Sequence, residues 1–339
     1  MSSDCVVLVL VEPDGDDLAV LSLEALTFAR ATAAAAGSGG APVHAVAVGS
    51  LGTAAMESLA AQGVSVLHEA QDERLADYSA GAWAASVVDA SRVASASVVL
   101  AGASPRGNEI LAHVAARLGQ RLAANVTSVE SGSAVAGSAS LVVRRQVMGG
   151  SALEELQLDG APALLTMAGH AVEPLTVDHP LSAVKEAAFT PALTDADLVA
   201  RVRRTVPVES GGADLTKARV VVGGGRGVGG PDRFDPLVEL AEQLGGALGV
   251  SRVVTSLGWR PHHEQVGQTG SRITPDVYLA CGISGAIQHW AGCASSKTII
   301  AVNTDPEAPM VTKAHYAVIG DLHEVVPAIT AELAARRSG

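Results

Sequence analysis

The first third of the sequence alternates between short apolar runs and longer helical stretches, and this alternation constrains the fold more than any other feature. Runs such as "CVVLVLVE", "VHAVAVG" and "SVVLAGA" are almost continuously apolar, as is typical of strands that are buried on both faces. Between them lie Ala- and Leu-rich segments with helical periodicity, such as "NEILAHVAARLG". Strands that alternate with helices predict a parallel sheet covered by helices on both faces.

The pattern changes over residues 122–170, where "SASLVVRRQVMGG" and "APALLTMAG" follow one another without long helices between them. We therefore expect the first sheet to end in antiparallel strands. Further on, "VESGGADLTKA" has no periodicity and predicts an interdomain connection. The 339 residues exceed what one hydrophobic core usually organises. The expected boundaries are an N-terminal α/β domain over 1–190, a connecting segment over 191–217 and a second domain over 218–339.

The second domain begins with "ARVVVGGG", a strand that runs into glycines and is followed by the predicted helix "PLVELAEQLGGAL". The runs "RVVTS", "DVYLAC", "KTIIAVN" and "YAVIG" predict further strands, with helices after Ser284 and after Asp321. This order predicts a second doubly wound sheet. Such sheets bind ligands beyond the carboxyl ends of their strands.

Composition excludes several classes of protein. Hydrophobic residues make up 48% of the chain and aromatic residues 3%, with a net charge of -12, and clustered positive charge and stacking rings are what nucleic acids require. No apolar stretch reaches the ~18 residues of a membrane span, so we expect no direct membrane insertion. The three cysteines form no CxxC pair, and Cys5 and Cys281 lie in predicted strands. We interpret them as buried thiols of a cytoplasmic protein.

The stretch "GRGVGG" at residues 225–230 fits the GxGxxG pattern of dinucleotide-binding loops. Pro231 and Asp232 delay the helix, however, and the acidic residue that should hold the ribose ~20 residues downstream is missing. An NAD(P)-dependent dehydrogenase is therefore an alternative, which bound nicotinamide without flavin would favour. Arg226 in this loop is a candidate clamp for a cofactor phosphate.

Five motifs follow one another in the second domain, most of them at predicted strand ends: "QVGQTG", "GISGAIQH", "SKTI", "NTDPEAP" and "GDL". Their order and spacing from roughly Ala218 to Ile329 resemble the α subunit of electron transfer flavoprotein, the FixB family. The resemblance implies an N-terminal adenine-nucleotide-hydrolase-like sheet and a C-terminal FAD-binding, Rossmann-like (DHS-type) sheet. It also implies FAD in the C-terminal domain and an obligate β subunit that carries AMP.

Within "GISGAIQH", small residues leave backbone N–H groups open to a pyrophosphate at the start of the following helix, and Ser284 can cap that helix or bond the anion. The resemblance places His289 at the flavin O2 edge. There it can donate a hydrogen bond or, as imidazolium, pair with the negative charge of reduced flavin.

The resemblance gives two further residues a part in tuning the flavin. Arg252 would stabilise reduced, anionic flavin and raise its potential. Thr269 would reach flavin N5, donating to it or accepting from it according to its protonation. Many family members carry Val-Asp where this chain has Thr255-Ser256, and this departure bears on the potential and on the electron donor. Gln265, the first residue of "QVGQTG", receives no role.

The complete set of predicted cofactor-binding residues combines Arg226 of the glycine loop with the residues that the resemblance implies, and it lies at the strand ends of the second domain. These residues are Arg226, Ser251, Arg252, Val266, Gly267, Gln268, Thr269, Ser284, Gly285, Ala286, Ile287, Gln288, His289, Asn303, Asp321 and Leu322. Asn303, Asp321 and Leu322 match positions near the adenosine. No metal site is predicted, since the adjacent His262 and His263 lack further ligands and indicate a polar loop.

We therefore expect an electron carrier without its own substrate turnover, active in fatty acid β-oxidation. It would take electrons from flavin dehydrogenases such as acyl-CoA dehydrogenases and pass them to a membrane quinone oxidoreductase. Besides the NAD(P) dehydrogenase, two alternatives stay open. One is an electron-bifurcating member of the same family, and the other is a nucleotide-binding sensor module built on the first domain.

Overall fold

The computed structural model describes residues 5–35, 41–135, 138–148, 152–160, 162–169, 171–204, 215 and 217–338. Most of the predicted connection "VESGGADLTKA" lies outside these residues. The chain divides into two units, the first from Met1–Val147 and Leu153–Thr205 and the second from Val206–Gly339 with Met148–Ala152. Both units are α/β, as predicted, whereas the domain boundaries given above stay a prediction.

The first unit carries eleven strands and four helices among the described residues. The strands are β1 (Val7–Leu10), β2 (Pro13–Asp14), β3 (Asp17–Leu18), β4 (Val43–Val48), β5 (Val64–Ala70), β6 (Val98–Gly102), β7 (Leu122–Val135), β8 (Ser138–Val147), β9 (Ala152–Gly160), β10 (Ala163–Met167) and β11 (Lys185–Phe189). The helices are α1 (Val20–Ala35), α2 (Thr53–Ala61), α3 (Ala80–Val93) and α4 (Pro105–Leu118).

Nine of these strands form one sheet in the order β11-β5-β4-β1-β6-β10-β7-β8-β9. Side chains of β1 alternate between its two faces, with Val7 and Val9 in one core cluster and Leu8 and Leu10 in another. Helices α1 and α2 contribute to the first cluster, and α3 and α4 to the second. The sheet is therefore covered on both faces, as the apolar runs predict.

We expected the strands from residues 122–170 to be antiparallel, and this is confirmed for β7 and β8 but wrong for β10. Strands β7 and β8 are antiparallel. Strand β10, from "APALLTMAG", instead lies inside the sheet and runs parallel to both β6 and β7. All five of its residues are buried. Burial on both faces explains its continuous apolar sequence, but sequence order alone could not reveal the insertion.

The second unit carries five strands and five helices among the described residues. The strands are β12 (Val220–Gly224), β13 (Ala247–Val250), β14 (Val277–Cys281), β15 (Thr298–Asn303) and β16 (Tyr316–Ile319). The helices are α5 (Asp235–Gln243), α6 (Arg252–Ser256), α7 (Ile287–Cys293), α8 (Pro309–Lys313) and α9 (Leu322–Ser338). The strands form a parallel sheet in the order β13-β12-β14-β15-β16.

One predicted strand of this unit is wrong. The run "RVVTS" forms α6, and the strand lies just before it, at β13. Gly245 takes a φ of +63° and ends α5, with its N–H and that of Gly246 bonding back to Glu242 and Ala241. This glycine C-cap ends the helix before Ala247. Ala247 and Leu248, which the sequence assigned to the helix, therefore belong to β13 and pair with β12.

Strand β12 is the first strand of this sheet in the chain. The next strand, β13, pairs with one side of β12, and the following strand, β14, pairs with its other side. The direction in which strands are added therefore reverses at β12, which makes this position the topological switch point of the sheet. Helices α5 and α9 supply one core cluster of this sheet, and α7 and α8 the other. Cys281 and Cys293 lie in these cores, and burial raises the pKa of each thiol to about 12. The cysteines, Cys5 included, are buried free thiols, as predicted.

Candidate functional site

Two loops meet beyond the carboxyl ends of β12 and β14. The Gly225 N–H donates to the Cys281 carbonyl at 2.9 Å, and the Gly227 N–H donates to the Gly282 carbonyl at 3.1 Å. A Cβ atom on Gly225 would lie 2.1 Å from the Gly282 oxygen, which no side chain tolerates. The glycines of "GRGVGG" therefore serve first to bring two strand-end loops together at the switch point.

The loop that follows β14 is held open at its base. Asn303 donates from Nδ2 to the Ile283 carbonyl at 3.0 Å, and the Met310 N–H donates to the Ser284 carbonyl at 3.1 Å. Gly285 has a φ of +81°, and a Cβ there would lie 2.4 Å from the Met310 nitrogen. This turn therefore requires glycine at position 285, because any side chain there would collide with the Met310 backbone.

This loop presents a row of free hydrogen-bond donors. Helix α7 begins at Ile287, two residues later than the sequence predicts, and Ser284 does not cap it. Within the described part of the chain, no hydrogen bond engages the backbone N–H groups from Ser284 to Gln288. Ser284, Ala286, Ile287 and Gln288 are exposed. Gly285 is buried between them. Unpaired N–H groups in a loop with four exposed residues are donors suited to an anion.

Two arginines follow neighbouring strand ends at the same edge of the sheet. Arg226 comes after β12 and Arg252 after β13, and both side chains are exposed. Neither makes an ion pair or a side-chain hydrogen bond with any residue the structure describes. Ser251, the buried N-cap of α6, is fixed by its N–H bond to the Gly224 carbonyl at 3.0 Å. Two exposed arginines without a partner among the described residues therefore follow strand ends at the edge where the loop after β14 also lies.

The "QVGQTG" loop packs against the start of α7. The Val266 N–H donates to Val250 at the end of β13, and the Gln268 N–H donates to the Gln288 carbonyl at 2.8 Å. Gly267 has a φ of +144°, and a Cβ there would lie 3.0 Å from the Gln288 oxygen. These bonds bring the exposed Thr269 to the same edge as the free N–H groups.

His289 lies beneath this edge, 6% exposed. Its Nε2 is 2.8 Å from the Tyr278 hydroxyl, and its Nδ1 is buried without a hydrogen-bond partner among the described residues. Burial lowers the pKa of His289 to about 4, and the Val266 backbone only partly opposes this. The protein by itself therefore favours the neutral imidazole over the imidazolium that the sequence left open.

The three residues assigned to the adenosine end have structural partners. The Asn303 Oδ1 accepts the Asp305 N–H at 3.1 Å, and the Asp321 carboxylate accepts the His323 N–H at 2.9 Å, so it caps the start of α9 as expected. Leu322 is 5% exposed and belongs to the core. Its side chain supports the edge from below and does not line its surface.

Sequence reasoning missed two side chains of this region. Tyr278 is fully buried in β14 with its hydroxyl on His289. Gln265 is 2% exposed and hydrogen-bonded to Thr269. A polar group within an apolar strand, and an amide beside a glycine motif, are the signals that could have identified them.

Two family models match the chain. The electron transfer flavoprotein domain matches residues 7–198, and the electron transfer flavoprotein FAD-binding domain matches residues 214–294. With the fold and the donor-rich edge, these matches define the second unit as an FAD-binding domain of a flavoprotein.

Whole-length relatives agree with these models. The electron transfer flavoprotein subunit alpha of Mycobacterium leprae is 36% identical over 332 residues, covering 97% of this chain and 98% of the relative. That of Bacillus subtilis is 33% identical over 326 residues, covering 96% of both chains. That of Syntrophomonas wolfei is 38% identical over 271 residues, covering 80% of this chain and 83% of the relative. The chain belongs to the electron transfer flavoprotein α-subunit family.

The residues of the edge fit FAD. A pyrophosphate is an anion that takes N–H donors and guanidinium groups, and the Ser284–Gln288 backbone with Arg226 and Arg252 supplies both without competing ion pairs. The Nδ1 of His289 is buried and makes no hydrogen bond of normal geometry with the described residues, although the Val266 backbone lies near the ring, so it is a polar atom that a bound ligand can engage. Among the described residues, none of the helices combines the length and the apolar character that crossing a bilayer requires.

Proposed function

We propose that this chain is the α subunit of a heterodimeric electron carrier. It would accept electrons from flavin dehydrogenases such as acyl-CoA dehydrogenases and pass them to a membrane quinone oxidoreductase. The observation that carries the proposal is the set of unpaired N–H groups from Ser284 to Gln288, at the edge of the sheet where Arg226 and Arg252 also follow strand ends. FAD supplies the chemistry, since it takes up electrons one or two at a time.

Different residues of the chain would bind FAD and set its redox potential. The N–H groups from Ser284 to Gln288 and Arg226 hold the pyrophosphate. Arg252 places a fixed positive charge near the ring and stabilises its reduced form. Thr269 offers a hydroxyl to N5, and neutral His289 offers a hydrogen bond at the pyrimidine end. Asn303 and Asp321 order the loops at the adenosine end.

A β subunit that carries AMP completes the proposed assembly. Its support on this chain is apolar surface beside the binding edge: Ile287 is 65% exposed, Leu257 52% and Val253 44%. Three exposed aliphatic side chains next to a cofactor edge suit a surface that a partner covers. Covering it would also keep water from the flavin ring, which strengthens the electrostatic influence of Arg252.

We also propose that residues 191–217 connect a first domain over 1–190 to a second domain over 218–339. Proteolysis of the αβ complex tests it. Cleavage within 191–217 that leaves flavin on a fragment containing residues 218–339 supports these boundaries. Cleavage elsewhere, with loss of flavin from that fragment, contradicts them.

Electron transfer is tested with the purified αβ complex, an acyl-CoA dehydrogenase and its substrate under anaerobic conditions. We expect the flavin of the complex to be reduced and then reoxidised by a quinone oxidoreductase in membranes. Reduction by NADH with transfer to two different acceptors would instead identify a bifurcating member of the family. Bound nicotinamide without flavin would identify the NAD(P) dehydrogenase and overturn the proposal.

A further inference from the structure

Three side chains of the second unit are hydrogen-bonded in a row. The Thr255 Oγ1 donates to the Gln265 Oε1 at 2.5 Å, and the Gln265 Nε2 donates to the Thr269 Oγ1 at 3.1 Å. We name Thr255, Gln265 and Thr269 the hydroxyl relay. It connects the last turn of α6 with the exposed threonine of the "QVGQTG" loop.

The middle of the relay is buried and its ends are not. Gln265 is 2% exposed, whereas Thr255 is half-buried and Thr269 is exposed. A buried amide requires partners for both its oxygen and its nitrogen. Here both partners are threonine hydroxyls, so the amide is satisfied only while the two threonines keep their positions.

The relay can run in either direction. A hydroxyl has a single hydrogen, and Thr255 can give it either to Gln265 or to the Arg252 carbonyl 2.9 Å away. If the amide of Gln265 is turned by 180°, its nitrogen donates to Thr255 and its oxygen accepts from Thr269. Oxygen and nitrogen of an amide exchange places at little geometric cost. Thr255 accommodates both orientations because Arg252 offers an alternative acceptor.

The two directions leave the outer threonine with opposite properties. In the first, Thr269 accepts from Gln265 and keeps its hydrogen free to donate outward. In the second, Thr269 donates to Gln265 and offers only its lone pairs outward. The direction of the relay thus decides whether the exposed hydroxyl acts as a donor or as an acceptor.

We propose that Thr255 and Gln265 are positioning residues that set the direction of the Thr269 hydroxyl, so that it can serve flavin N5 in both its unprotonated and its protonated form. This inference rests on the proposed function, which places Thr269 at N5.

The test uses the flavin-loaded αβ complex carrying Thr255→Val, which keeps the shape of the side chain and removes its hydroxyl. We expect the oxidised-to-reduced flavin ratio at a fixed potential to change about twofold to tenfold, the range that one neutral hydrogen bond of roughly 0.5–1.5 kcal/mol can produce. The flavin absorption band shifts with it, and Thr255→Ser restores both values. We expect FAD affinity to stay near that of the wild type, since the relay gives Thr255 a contact with Gln265 and none with the cofactor.

Thr312→Val is the matched control. Thr312 also lies in a five-residue helix and also bonds the carbonyl three residues before it, but among the described residues it has no second polar partner. Its replacement is expected to leave the potential and the absorption band unchanged. If Thr255→Val does not fold, Thr255→Ala removes the hydroxyl with the best helix former instead.

A wild-type potential and spectrum in folded, flavin-loaded Thr255→Val would overturn the relay while leaving the proposed function intact. Equal shifts in Thr255→Val and Thr312→Val would also overturn it, since they would report helix perturbation. If the wild-type complex holds no flavin, the proposed function fails and the relay has no flavin to serve.

Discussion

The two units share one arrangement, parallel strands around a switch point, yet the carboxyl edges at these points differ in how polar groups are satisfied. In the first unit the switch point lies between β1 and β6. There the Ser104 hydroxyl donates to the Glu12 carboxylate and accepts the Gly107 N–H at 2.8 Å. Asn108, in the first turn of α4, accepts from Thr166 at 2.8 Å. This edge is closed by its own side chains and carries a carboxylate.

The second unit leaves the corresponding edge open. Its N–H groups from Ser284 to Gln288 and the side chains of Arg226 and Arg252 have no partners within the described residues. A carboxylate at one switch point repels an anion, and unpaired donors at the other attract one. The comparison teaches that each unit has a switch point where a ligand could bind, and that the residues around it decide which of the two binds an anion. It also argues against a nucleotide sensor built on the first domain.

Gly225→Ala breaks the open edge most severely. The added Cβ would lie 2.1 Å from the Gly282 oxygen, so the two strand-end loops must separate. We expect loss of FAD from the complex, measured as flavin absorbance per protein after gel filtration. Gly230→Ala is the matched control, because a Cβ there meets nothing within 4 Å. Equal flavin content in both variants would show that the contact of the loops does not matter.

His289 makes the second unit sensitive to acid. Its pKa is about 4 in the folded chain and near 6.5 unfolded, so between these values the unfolded chain binds the extra proton. Stability is therefore lost as pH falls from 6.5 towards 4, by at most roughly 3 kcal/mol. Urea unfolding at pH 7 and pH 5 measures this, and His289→Gln should reduce the difference.

His44 in the first unit is the built-in comparison for that experiment. Burial lowers its pKa to about 4 as well, with His68 and Lys185 adding to the shift. His44→Gln should therefore also reduce the loss of stability on acidification, but without changing the flavin potential. A change in potential for His44→Gln would contradict the assignment of flavin tuning to the second unit.

Arg252→Ala sharpens the comparison by removing one unpaired charge from the open edge. We expect weaker FAD retention and a lower flavin potential, because reduced flavin loses a stabilising positive charge. A dialysis series and a reductive titration measure the two effects. Arg201→Ala, an exposed arginine of the first unit, is the control. Full occupancy with an unshifted potential would reduce Arg252 to a surface charge.

Glu12→Gln has the smallest expected effect. It removes the carboxylate from the closed edge but leaves an oxygen that can still accept from Ser104, so we expect a small change in stability and no change in flavin content. Calorimetry with AMP checks the other half of the comparison. Tight AMP binding by the wild-type α subunit that persists in Gly225→Ala, whose second-unit edge is disrupted, would contradict the view that the first unit is closed to anions.

Much of this fold could be predicted from the sequence, because buried parallel strands have continuous apolar runs wherever they occur. The errors arose where tertiary contacts override local preference. "RVVTS" is rich in β-branched residues yet forms α6, because the strand pairs are already completed by β13. Strand β10 is inserted between β6 and β7, which no local signal encodes.

The motifs of the candidate site could be predicted from the sequence, but the hydrogen bonds between its side chains could not. The motif "GISGAIQH" identified the open loop, but the later start of α7 and the buried Nδ1 of His289 depend on packing against β14 and on Tyr278. Gln265 received no role because its partners, Thr255 and Thr269, lie ten and four residues away on different elements. Such relationships exist only once the chain is folded.

The central claim is that the open edge of the second unit holds FAD poised for electron transfer. The most direct measurement is the absorption spectrum of the chain purified with its β partner, followed by stepwise chemical reduction and compared with Gly225→Ala. The account predicts a flavin spectrum in the wild type that passes through a red, one-electron form, and its absence from Gly225→Ala. A wild-type complex with the partner bound and no flavin would contradict the account.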